Sequence, residues 1–157
     1  DLSVQEMISD CFDGDPAASY MLGLSYLYGK MGNTINVDTA YCFFSISASK
    51  GFGPALDKIR AKYAEENNPF LCLVYLNLTI SYGHPEFTMS YHELREKGCK
   101  KLGKEIFRKI ERIASKKSEM IDKNISEKKD YCDTQDITLE DMQYDLEYWN
   151  KSFSIGK

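Results

Sequence analysis

Histidines, cysteines and paired carboxylates are the side chains from which an active site or a metal centre is built, and in this 157-residue chain they stand apart. His84 and His92 are the two histidines. Eight residues apart on a helix, they would sit about 12 Å apart along its axis, too far to hold one metal ion. His84 precedes Pro85 at a helix start, where a structural role accounts for it. Five cysteines (Cys11, Cys42, Cys72, Cys99 and Cys132) are odd in number, with no close pair and no second ligand at a zinc-like spacing. They read as small buried hydrophobes and lean against a disulfide framework. Glu65 and Glu66 are adjacent carboxylates, but they lie beside Asn67-Asn68-Pro69 at a helix end and read as solvated. Gly51-Phe52-Gly53 is a helix–helix turn, not a phosphate loop, and no serine stands in a nucleophile-elbow context. The residues therefore lead to the expectation of a chain that is not an enzyme and takes no metal or cofactor. Asn-x-Ser/Thr triplets at Asn77, Asn124 and Asn150 read as chance, since Asn77 falls inside a buried-looking helix.

The bulk numbers bound the rest. With 43% hydrophobic and 13% aromatic residues, the chain has the material for one core and is not globally disordered. Its longest apolar stretch, Leu71–Ile80, is interrupted by Asn77 and falls short of the ~20 residues that cross a membrane. The net charge of -4 hides a block pattern. Residues 1–94 carry -6, residues 95–129 carry +7 and residues 130–157 carry -5. A basic block between acidic flanks points first to internal pairing.

The run from Gly14 to Gly29 returns further along the chain. Ala18, Leu22 and Tyr26 form one stripe of a helix, and Ala55, Ile59 and Tyr63 repeat it at an offset of 37, with Gly51 matching Gly14. Ala40–Gly51 lines up with Cys72–Gly83 at an offset of 32. Each of these second helices follows an Asn (Asn36, Asn68) that can accept orphan N–H groups, and ends at a Gly suited to a left-handed C′ position. A period of this length means stacked helical hairpins.

The pattern resembles the Sel-one-like repeat family, α-helical hairpins related to tetratricopeptide repeats. That family's Gly-Asp-Pro-x-Ala-x-x-x-Leu-Gly-x-x-Tyr-x-x-Gly motif is met at Gly14, Asp15, Pro16, Ala18, Leu22, Gly23, Tyr26 and Gly29, and its closing motif at Ala40, Ala48 and Gly51. The stretch Tyr75–Glu86 is similar to the variant found in many last repeats, and Phe87 replaces the small Ala of a third unit. The resemblance covers roughly residues 14–117 and implies an all-α fold. Specifically, it implies a short α-solenoid of two to three helical hairpins with an N-terminal half-unit and a C-terminal capping helix. One subfamily is stapled by disulfides between the helices of a hairpin, but Cys42 and Cys72 both fall in second helices.

The expected organisation is a repeat domain over 1–117, with repeats at 14–50, 51–82 and 83–117. A capping box at Ser3–Glu6 opens the half-unit, and Pro69 suits a first helical position. In the third repeat Leu102, Ile106, Ile110 and Ile113 keep helical spacing on the basic stretch Lys100–Lys117, whose cations read as a solvated face. Residues 118–135 lose the periodicity and read as a polar connector. Residues 136–157 read as an amphipathic helix, capped by Thr138, whose seam of Leu139, Met142, Leu146, Trp149 and Phe153 docks on the last hairpin.

What remains is a surface. In such hairpin stacks the first helices line the concave side, and the equivalent stripe is Met21, Ser25 and Tyr28, then Lys58, Lys62 and Glu65, then Ser90, Leu94 and Lys97. Aromatic, Met and Lys character suits recognition of another protein, and Met21, Tyr28, Lys58, Lys62 and Leu94 are the expected contact residues. The expectation is a non-catalytic protein-interaction module with no small-molecule substrate. The resemblance extends this to a bacterial immunity or adaptor protein whose partner is a cognate toxin or a secretion or signalling component. The alternative is binding of nucleic acid or another anionic partner through residues 95–129, against which stand a scarcity of aromatics there and a pI near 5.3. A leader removed ahead of Asp1 would favour the bacterial periplasm over the cytoplasm.

Overall fold

The computed structural model describes residues 14–127. The half-unit expected before residue 14 and the capping helix expected over 136–157, with Trp149, lie outside the described residues. Over the described residues the protein is all-helical, with six α-helices and no strand. They are α1 (Pro16–Tyr28), α2 (Val37–Ala48), α3 (Gly53–Glu65), α4 (Pro69–Tyr82), α5 (Thr88–Leu102) and α6 (Lys104–Glu127), with a 3-10 turn at Pro85–Phe87 before α5.

Local chemistry sets the boundaries of the first four. Asp15 accepts from the Ala17 N–H at 2.9 Å, with Pro16 at the first helical position of α1. Asn36 and Asn68 accept from Thr39 and Leu71 at 3.1 and 3.2 Å, satisfying N–H groups that the first turns of α2 and α4 leave without partners. Gly29 ends α1 in the left-handed region (φ 64°), and Gly51 follows α2 with φ 75°. Gly83 differs from the expectation: its φ of 170° is extended backbone. What demands a small residue at this level is close approach. A Cβ on Gly53 would stand 2.9 Å from the Tyr82 carbonyl oxygen and 3.2 Å from the Gly83 Cα.

The helices pair antiparallel. Ser47 Oγ near the end of α2 donates to the Pro16 carbonyl at the start of α1 (2.7 Å), and the Tyr26 and Phe43 rings stack with centroids 5.8 Å apart. Gly23 leaves room for the Phe44 ring, which a Cβ there would meet at 2.5 Å. Tyr63 and Tyr75 pair across α3 and α4 at 5.6 Å. Phe44, Phe70, Phe107, Leu22, Leu56, Leu71 and Leu78 are among the large side chains sealed in the interior, each contributing about 1.5–3 kcal/mol by burial.

The third unit departs from the first two. Phe87, where they carry Ala18 and Ala55, falls in the 3-10 turn with its ring against His84 rather than inside a helix, and α5 has Tyr91 as its one buried residue. The stretch read as one helix over Lys100–Lys117 is broken at Gly103 (φ 86°), so Leu102 closes α5 and α6 starts at Lys104. It is α6 that packs along α4. The connector expected from residue 118 is helix as far as Glu127. Within it Ile121 is buried, Asn124 Nδ2 donates to the Ser49 carbonyl at 2.9 Å, and Tyr82 Oη lies 2.6 Å from Asp122 Oδ1 and 3.0 Å from the Ser118 carbonyl. Lys117 is also a correction to the solvated face: it is 1% exposed, with its Nζ 5.4 Å from the centre of the Tyr75 ring. An ammonium facing a desolvated ring gains about 2 kcal/mol, which offsets part of its burial.

Candidate partner-binding face

Tyr28, the last residue of α1, anchors the face. Its side chain is 54% exposed. Lys58 reaches across from α3, its Nζ donating to Tyr28 Oη at 3.4 Å and lying 5.7 Å from the ring centre. Lys30 flanks the same ring at 5.9 Å. Lys62, one turn beyond Lys58, lies 5.2 Å from the Tyr41 ring and 5.7 Å from the Tyr63 ring, and pairs with Glu66 at 3.1 Å. The structure thus brings three of the expected residues, Tyr28, Lys58 and Lys62, into one cation–aromatic group.

Tyr41 belongs to this group although sequence reasoning passed over it, because that reasoning confined the face to first helices. Partial burial raises its phenol pKa, helped by the charge of Glu65 and opposed by Lys58. The phenol stays protonated and available as a donor across the neutral range. No local signal marks it, since at the offset of 32 Tyr41 matches Leu73, which is buried in α4.

Met21 sits two turns before Tyr28 on α1, and its side chain is about half exposed. Ser25 does not join the stripe. It is buried, donates to the Leu22 carbonyl at 2.7 Å and accepts from Asn33 Nδ2 at 2.9 Å. Those bonds hold the α1–α2 loop, along with Lys30 N–H to the Ser25 carbonyl (2.8 Å) and Asn36 N–H to the Tyr26 carbonyl (2.9 Å). The loop so fixed carries Met31 and Ile35 outward, next to exposed Val37. Met31 adopts a left-handed φ of 56°, a conformation that costs a non-glycine residue free energy and fixes the direction of its side chain.

Leu94 is exposed but belongs elsewhere: it lies on α5, whose neighbours are α4, α6 and the 3-10 turn. Among the cysteines, Cys42 is exposed, against the expectation of burial, while Cys72 and Cys99 are partly buried. The Arg60 guanidinium lies beside Cys72, but burial dominates and pushes that thiol up, away from thiolate chemistry. His84 pairs with Glu86 at 2.8 Å at the 3-10 turn. Among the described residues no three His, Cys, Asp or Glu side chains cluster as a metal site would require, and no helix is long and apolar enough to cross a membrane. Comparison with family models, curated proteins and solved structures finds no match.

Proposed function

We propose that this chain is a protein-interaction module of the helical-hairpin repeat type, a short α-solenoid that binds another protein through the Tyr28 face. One observation carries the reading: a half-exposed aromatic at a helix end, bracketed by Lys30 and Lys58 and bordered by a fixed loop that turns Met31 and Ile35 to solvent. Rigid aromatic anchors with a polar rim are the composition of binding hot spots, because they bury much area and lose little conformational freedom. The Sel-one-like resemblance at Gly14–Gly29 and Ala40–Gly51 supports the same reading. Its most specific form, a bacterial immunity or adaptor protein, rests on that resemblance.

The test is affinity capture with the native chain and with the Tyr28→Ala/Lys62→Glu variant from the lysate of the source cell. The reading expects a protein retained by the native chain and lost by the variant at unchanged melting temperature. Equal retention by both would remove the Tyr28 face from the account.

A further inference from the structure

The cations that the Tyr28 face does not use form a second surface. On α5, exposed Lys97 and Lys101 share a stripe with exposed Leu94. Past the Gly103 corner, Lys104, Arg108, Arg112 and Lys116 follow at intervals of four on the solvent side of α6. The intervening face of α6, with Ile106, Ile110, Ile113 and Ala114, is buried, so the stripe cannot rotate inward. Arg108 pairs with Glu105 at 3.0 Å, but both side chains are largely exposed and the pair is readily exchanged. Fixed like charges at this spacing repel one another and favour an anion laid along them.

We infer that the occupant of this surface is the chain's own acidic segment, residues 130–157, seated with its apolar residues against Leu94 and its carboxylates along Lys104–Lys116. Charge complementarity favours it: residues 130–157 carry -5 and residues 95–129 carry +7. Reach allows it, since α6 is about 35 Å long at 1.5 Å per residue, and the dozen residues from Glu127 to Leu139 can span about 40 Å when extended. Tethering gives it precedence over a free polyanion, because a covalently attached partner acts at an effective concentration in the millimolar range. Leu139, Met142, Leu146, Trp149 and Phe153 give the segment apolar side chains to set against exposed Leu94. The surface that would attract nucleic acid is thereby occupied from within.

Trp149 is the one tryptophan of the chain and reports on the contact directly. The experiment is acrylamide quenching of Trp149 in the full chain, native and with Arg108→Glu/Arg112→Glu/Lys116→Glu, alongside Lys30→Glu/Lys58→Glu as a control. All five residues lie on helix or loop surfaces, and circular dichroism verifies that each variant stays folded. The inference expects Trp149 to be shielded in the native chain and the control, and quenched several-fold more strongly in the α6 variant. Quenching in the native chain equal to that in urea, or unchanged by the α6 reversal, would overturn it. So would a single-stranded oligonucleotide that bound the native chain without altering Trp149 quenching, which would place nucleic acid on this face instead. A failed Tyr28 face would leave these quenching results unaffected, so the two readings fail separately.

Discussion

Asn124 Nδ2 donates to the carbonyl oxygen of Ser49 at 2.9 Å, joining residues 75 apart in sequence. The bond ties the far end of α6 to the junction between α2 and α3, where Ile121 and Ile125 also approach Gly51. Both partners are buried. Asn124→Ala leaves the Ser49 carbonyl without its donor, and the expected cost is about 1–3 kcal/mol. Urea denaturation checks it; an unchanged midpoint would mean that the last turns of α6 are not anchored there.

Gly53 sets the distance between the start of α3 and the end of α4. A methyl group at this position meets backbone atoms of Tyr82 and Gly83 at 2.9–3.2 Å, and backbone cannot swing aside as a side-chain tip can. Gly53→Ala is therefore expected to destabilise by about 1–3 kcal/mol, the usual range of overpacking. Ala18→Leu, at a fully enclosed helix contact, belongs to the same range. Thermal or urea unfolding of the two variants measures both.

Much of this was legible in the sequence, and the reason is local. Asp15, Asn36, Asn68, Pro16, Pro69, Gly29 and Gly51 are capping or turn residues whose geometry needs no tertiary information, so α1, α2 and the starts of α3 and α4 could be bounded from their types. The stretch after residue 117 was not legible. Lys117 and Asn124 fill inward positions of α6, and two polar residues on the buried stripe erase the apolar period that would have marked the helix. Their partners, the Tyr75 ring and the Ser49 carbonyl, come from distant elements that no local pattern discloses. Ser25 misled for the converse reason. Its hydroxyl is satisfied by Leu22 and Asn33, so a polar residue could turn inward on a stripe otherwise read as surface.

Tyr82 ties pH to the packing of α6 on α4. Burial, then the hydrogen bond to Asp122, pushes its phenol from 10.0 up to about 12. The fold holds the protonated phenol, so this contribution to stability is complete below pH 10 and is lost as pH rises through about 12. Absorbance titration of the native chain should show late-ionising tyrosines, Tyr91 being held up likewise by burial and its bond to Glu111, and Tyr82→Phe should remove one of them and reduce the alkaline fall in stability. A native titration with every phenol ionising near 10 would contradict the Tyr82–Asp122 contact.

Glu111 holds α5 onto α6. It accepts from Tyr91 Oη at 2.6 Å and from Arg95 Nε at 2.7 Å. Burial would raise its carboxyl, but the bonds from Arg95 and Tyr91 outweigh it and hold the group below its ordinary value. The stability it supplies is present above the unfolded-state value and is lost as pH falls through the lowered folded one. Since Tyr91 is the one buried residue of α5, Glu111→Ala should loosen that helix selectively. Amide hydrogen exchange should rise across Thr88–Leu102 and stay unchanged in α1 to α3; a uniform change along the chain would mean that α5 is not an outlying element.

Photo-crosslinking from position 28 reads out whether another protein meets this one at Tyr28. A benzophenone amino acid placed at position 28, at 31, and for comparison at exposed Ser115, is irradiated in the source cell. The expected result is one discrete protein adduct from positions 28 and 31, none of that size from 115, and its loss when Lys58→Glu is added. Adducts from position 115 alone, or adducts from 28 that persist with Lys58→Glu, would contradict it.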